Sequence, residues 1–246
     1  MMVPHSCKGS DKALADPHIA YAHSPRFRQF GIFVCKSQEP LEDRHLFRSV
    51  SHCPWCGETL PGVLREQIFD AIEEALGHDE FSLFDDCPEI PKEFRDDSWW
   101  RSREIPADVG RRLLKDERTY DNDGMLEIDS WFNDRPGFHR PVARSPHMCD
   151  MMKQSLEVYD DMTAYLPQTR EYGIRILDLD KPVDYQPIRI MPFHYCPWCG
   201  DKLPSSLREE WETRLKAEGL EPDDPCVPTN LPEHWGTDQW WRAEGL

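Results

Sequence analysis

The sequence predicts an α+β fold built twice in tandem, and three observations carry that prediction. Blocks of residues recur in one order about 142 positions apart. Inside each block a short alternating apolar pattern leads into Cys-Pro-Trp-Cys. Beyond that motif come apolar residues four positions apart, the spacing of a helix face.

The repeat is read residue by residue. Pro4-His5-Ser6-Cys7 returns as Pro146-His147-Met148-Cys149, and Arg28-Gln29-Phe30-Gly31-Ile32 as Arg170-Glu171-Tyr172-Gly173-Ile174. Cys53-Pro54-Trp55-Cys56-Gly57 returns as Cys196-Pro197-Trp198-Cys199-Gly200. Leu60-Pro61 and Leu64-Arg65-Glu66 return as Leu203-Pro204 and Leu207-Arg208-Glu209. Trp99-Trp100 closes the first copy and Trp240-Trp241 the second. The expected layout is copy 1 over residues 1–103, a charged linker over 104–143 and copy 2 over 144–246. In the linker, 111–118 could form a short helix, and Asp121-Asn122-Asp123-Gly124 is a turn signal.

Within copy 2, Met151, Met152, Leu156 and Tyr159 have helical spacing after Cys149. Ile174/Ile176 and Ile188/Ile190 alternate, which predicts strands over 172–179 and 187–193. After the Cys-x-x-Cys element, Leu207, Trp211 and Leu215 predict a helix stopped by Gly219. Copy 1 repeats that stripe at Leu64, Ile68, Ile72 and Leu76, stopped by Gly77. Such a face is expected to be core, and the Trp-Trp pairs are expected to lid it.

Cys-x-x-Cys has two readings. In a redox protein it opens a helix and its first cysteine is an activated thiolate. In a metal site it is a tight turn whose two sulfurs share one ion. A second half-site, His-x-Cys, recurs in both copies, and on an extended segment residues i and i+2 face one way. Zinc takes four N or S ligands. His5, Cys7, Cys53 and Cys56 supply one set; His147, Cys149, Cys196 and Cys199 supply another. The expectation is two structural zinc ions per chain, one in each of two tandem domains. Each would be a β-hairpin leading to a Cys-Pro-Trp-Cys knuckle followed by a helix. His52 and His194 flank the motifs at non-equivalent positions, so they are set aside as ligands. Cys35, Cys87 and Cys226 have no counterparts and are read as buried or free thiols.

The run from His-x-Cys through Arg-x-aromatic-Gly-Ile and Cys-Pro-Trp-Cys-Gly-x-x-Leu-Pro to a terminal Trp-Trp resembles a family of small bacterial proteins of unknown function. Those look like single copies of this domain. The resemblance covers both copies and leaves out the linker. It implies a zinc-ribbon-like domain of bacterial or phage origin and implies no activity. Copy 1 departs from the pattern in lacking the methionines after Cys7 and in carrying Cys35 in its first strand.

The formal net charge of −17 divides as −7 over 1–105, −1 over 106–144 and −9 over 145–246, so the acidity belongs to the domains. That argues against a nucleic-acid partner, whose phosphates need Lys and Arg, and favours a basic protein partner. Arg26, Arg28, Arg44 and Arg48 in copy 1 are the nearest approach to a basic stripe, and only Arg170 matches them in copy 2. No Gly-rich phosphate loop, His-Glu-x-x-His or Gly-x-Ser-x-Gly element is present, so no catalytic residue is assigned. The pairs Asp85-Asp86 and Asp223-Asp224 read as solvated loops. Short apolar runs and an N-terminus without a secretory h-region predict a cytoplasmic chain that does not span a membrane. The function expected on these grounds is an acidic, zinc-stabilised binding module of the inhibitor or immunity type, one that captures a basic, toxin-like protein. An enzyme with a site between the copies and a zinc-ribbon nucleic-acid regulator are the alternatives.

Overall fold

A computed structural model describes residues 4–33, 47–81, 89–111, 145–157, 162–176, 189–223, 226 and 228–246. Both copies follow one plan. Copy 1 runs α1 (Lys8–Ala15), β1 (Tyr21–Ser24), β2 (Gln29–Phe33), β3 (Phe47–Ser49), α2 (Arg65–Leu76) and α3 (Ser98–Arg101). Copy 2 runs α4 (Asp150–Glu157), β4 (Thr163–Leu166), β5 (Glu171–Arg175), β6 (Ile190–Pro192), α5 (Arg208–Ala217) and α6 (Gln239–Ala243). Each copy carries a three-stranded antiparallel sheet in the order β1-β2-β3 or β4-β5-β6.

The sheets hold one strand more than the predicted hairpin. Alternation locates the second and third strands of copy 2 but passes over β4, because Thr163, Ala164 and Leu166 are all buried and leave no polar face to mark it. The linker features at 112–118 and 121–124, together with Tyr159, Ile188, Cys35, Cys87 and Arg44, lie outside the described residues.

The helix stripes bury as their spacing requires. Leu64, Ile68 and Ile72 pack with Phe94, Trp99 and Trp100; Trp211 and Leu215 pack with Trp235, Trp240 and Trp241. The Trp-Trp pairs also clamp the hairpin turns. Trp99 and Trp100 donate their indole N–H groups to the Arg26 and Pro25 carbonyls, and Trp240 and Trp241 donate theirs to the Gln168 and Pro167 carbonyls. Each large aromatic removes roughly 150–250 Å² from water, an upper estimate of about 4–6 kcal/mol at ~25 cal/mol per Å². The predicted lid is therefore a main element of each outer core.

The third core belongs to both copies. Ala13, Tyr21, Phe30, Ile32, Trp55 and Leu60 from copy 1 share one apolar cluster with Met152, Met162, Tyr172, Ile174, Phe193 and Trp198 from copy 2. An antiparallel bridge between Ile19 and Ile176 joins the ends of the two sheets. Residues 105–111, at the start of the stretch between the repeats, pack on copy 1, with Ile105 and Val109 against its α2 core.

Candidate metal centre

Each Cys-Pro-Trp-Cys segment is a turn closed by its own backbone. The Cys53 N–H donates to the Glu58 carbonyl and the Gly57 N–H to the Cys53 carbonyl; Cys196, Asp201 and Gly200 repeat both bonds. Gly57 and Gly200 sit at φ of +75° and +77°, the left-handed region that side chains resist, so glycine follows the second cysteine for a backbone reason. The bridges His52–Thr59 and Tyr195–Lys202 then close the loops.

The other half of each site is a helix start. Cys7 caps α1, its sulfur accepting the Ser10 N–H at 3.4 Å, and Cys149 accepts the Met152 N–H at the same distance. A helix N-terminus favours a thiolate through its unpaired N–H groups and its dipole. His5 and His147 precede these cysteines by two residues, as the His-x-Cys spacing predicts.

These elements bring all eight predicted donors into two clusters. The atoms of His5, Cys7, Cys53 and Cys56 lie within 4.8 Å of one another, as do those of His147, Cys149, Cys196 and Cys199. The Sγ–Sγ distance is 3.6 Å for Cys7–Cys53 and for Cys149–Cys196, and the cysteines are free thiols. The Nε2–Sγ distance is 3.6 Å for His5–Cys56 and 3.4 Å for His147–Cys199. A tetrahedral ion with Zn–S near 2.3 Å and Zn–N near 2.0–2.1 Å requires edges of about 3.8 Å between sulfurs and about 3.6 Å between sulfur and nitrogen. A disulfide would need about 2.05 Å. The donor edges therefore fit a shared cation.

The electrostatics fit it as well. Burial pushes the Cys53 thiol up to about 12. In copy 2 the hydrogen bond from Cys196 holds Cys149 down, to about 5, and the same bond holds Cys196 protonated; burial raises Cys199. The buried thiols Cys53 and Cys196 resist ionising on their own, and a divalent ion would supply the charge that lets them do so. With four protein donors the first shell is closed, which suits a structural ion.

Two groups behind the histidines escape the sequence reading. Glu58 approaches His5 Nδ1 at 3.3 Å, leaving Nε2 to face the cysteines. In copy 2 the Tyr172 hydroxyl accepts the His147 backbone N–H at 2.8 Å and donates to the His147 carbonyl at 3.2 Å. Phe30 occupies the Tyr172 position in copy 1 and has no hydroxyl, so the two copies hold their histidines by different means. A partner on the second ring nitrogen of a ligating histidine, as Glu58 is to His5, contributes about 10–100-fold to metal affinity. Because Glu58 is mostly exposed, Glu58→Gln is expected to weaken site 1 by about tenfold, the low end of that range. Tyr172→Phe should weaken only site 2, and chelator competition on singly substituted protein reads both effects.

The residues set aside stay outside the clusters. His52 is half-buried, with Nδ1 3.2 Å from the Trp198 carbonyl of the other copy, and His194 is exposed. Cys226 is buried. Asp223 accepts the backbone N–H groups of Thr229 and Asn230, which places it in loop structure.

The chain belongs to the family described as a domain of unknown function (DUF6980), which matches it twice, over residues 1–102 and 140–243. No curated protein and no solved structure matches the chain. The two matched regions confirm the tandem duplication. Among the described residues, no helix is long and apolar enough to cross a membrane.

Proposed function

We propose that this tandem member of the family is a binding module held in shape by two zinc ions, and that its acidic surface captures a basic protein. The observation that carries the reading is the pair of closed donor sets, each of one histidine and three cysteines. Sulfur-rich tetrahedral donors select zinc or iron over calcium and magnesium, and four protein donors fit a scaffolding role. The competing redox reading wants an exposed, activated first cysteine opening a helix. Here Cys53 and Cys196 are wholly buried with raised pKa values, and Gly57 and Gly200 lead to bridges and not to helices. Free thiols in these sites suit a reducing compartment, as in the cytoplasm.

The partner class follows from charge. With −17 on 246 residues and no basic stripe on both copies, the chain suits fast, salt-sensitive association with a basic protein, including one of toxin type. Arg28, one of the four arginines nearest to a basic stripe in copy 1, is 3% exposed and donates to carbonyls of its own copy. Native mass spectrometry of untagged protein should give two zinc ions per chain. Affinity capture from the native host should return one stoichiometric basic protein that leaves as salt rises. Metal-free protein whose Cys-x-x-Cys pairs cycle to disulfides would overturn the metal reading, and absence of a stoichiometric partner would overturn the binding reading alone.

A further inference from the structure

The Cys-x-x-Cys turns do more than hold donors, because each is the docking point of the other. The Pro197 carbonyl, inside the turn of copy 2, accepts the Ser51 and His52 N–H groups, both at 2.9 Å. The Pro54 carbonyl, inside the turn of copy 1, accepts the His194 and Tyr195 N–H groups at 2.8 and 2.9 Å. Those donor residues lead directly into Cys53 and Cys196, the first Cys-x-x-Cys donors of the two sites. The contacts are reciprocal, as in a two-fold dimer, although one chain makes both halves. Side chains close the same contact. The Trp55 and Phe193 rings meet edge to face with centroids 6.2 Å apart. The Tyr195 ring lies over Gly57, where an added Cβ would come within 2.6 Å of it, and the His52 ring lies over Gly200 at the same spacing. The buried donors Cys53 and Cys196 belong to the one apolar cluster that both copies build.

We infer that the two metal sites are coupled, so that an ion bound in one copy raises the affinity of the other. This rests on the reading of the clusters as metal sites. The physical path is short. Metal fixes the turn from Cys53 to Cys56 and so fixes the Pro54 carbonyl, which positions the two residues entering Cys196. The reciprocal path runs from the Pro197 carbonyl to the residues entering Cys53. An empty turn is free to relax, and it then ceases to hold the neighbouring ligand strand in register. Coupling between sites typically changes affinity by about 5–150-fold and acts equally in both directions.

The test is a cobalt titration of the reduced, full-length apoprotein, read by the thiolate charge-transfer and d–d bands. The comparison proteins are Cys56→Ser, Cys199→Ser and Tyr195→Ala, the last retaining all eight donors. Cobalt binding at the intact site of either serine variant should weaken at least about tenfold relative to the parent chain, within the usual coupling range. Tyr195→Ala should bind two ions with a shallower titration, showing half-loaded protein in native mass spectra where the parent shows little. Unchanged affinity at the intact sites, with a parent-like titration for Tyr195→Ala, would overturn the coupling while leaving two metal sites standing. A parent chain that binds no cobalt would overturn the metal reading itself, and the coupling with it.

Discussion

Removing the metal with a thiol-compatible chelator is expected to lower the thermal midpoint by roughly 12–24 °C. The expectation is built from mass action. Free zinc at a few hundred times Kd stabilises the folded form by about 3 kcal/mol per site. Two sites double that, and each kcal/mol moves the midpoint of a chain this size by about 2–4 °C. The effect should not be confined to one copy, because Cys53 and Cys196 sit in the core both copies share. The unfolding should therefore remain a single transition, followed by the fluorescence of the nine tryptophans. Re-adding zinc under reducing conditions should restore the midpoint. An unchanged midpoint after measured loss of metal would refute a scaffolding role for these clusters.

All eight residues of those clusters are legible in the sequence, because the repeat shows each residue type twice, at offsets of 142 for His-x-Cys and 143 for Cys-x-x-Cys. The helix stripes are legible for the same reason, and so are the Trp-Trp lids. The packing of the copies is not. Trp55, Trp198, Phe193 and Met152 are apolar positions, and periodicity says that they are buried without saying by which copy. The outer shell of the sites is hidden differently. Glu58 looks like one more surface acid among 46 acidic residues, and Tyr172 looks like a strand aromatic. One signal in the sequence goes further than the contrast between His52 and His194. The repeat offset of the Cys-x-x-Cys turn, 143, pairs His52 with Tyr195. That pairing marks two rings at equivalent positions, the two that cover Gly200 and Gly57.

The largest single-residue effects are expected where the copies differ, at Arg28 and Gly62. Arg28 is buried and donates from Nε to the Gly62 carbonyl, from one terminal nitrogen to Ile105, and from the other to Pro106 and Val109, all at 2.9–3.0 Å. Its guanidinium also stacks over Trp100, 5.5 Å from the ring centroid. Arg170, its counterpart, is half-buried and donates from Nε to the Ser205 carbonyl at 3.1 Å. Arg28→Met keeps the apolar stem but strands four carbonyls, so a loss of about 3 kcal/mol or more is expected, against about 1 kcal/mol for Arg170→Met. Gly62 is what lets residues 105–111 come this close to copy 1. A Cβ there would lie 2.3 Å from the Val109 oxygen and 2.4 Å from the Arg111 nitrogen, so residues 105–111 can approach only a glycine. Ser205 stands at the equivalent position. Gly62→Ser should therefore lift 105–111 from copy 1 and remove three of the Arg28 acceptors along with it. The two substitutions break one interaction, so the double variant should lose clearly less than the sum of the singles. Ser205→Gly should shift stability by no more than about 1 kcal/mol, the backbone-entropy difference alone. Urea unfolding of the five variants measures all of this, and additive losses at Arg28 and Gly62 would show that the wrap and the arginine act separately.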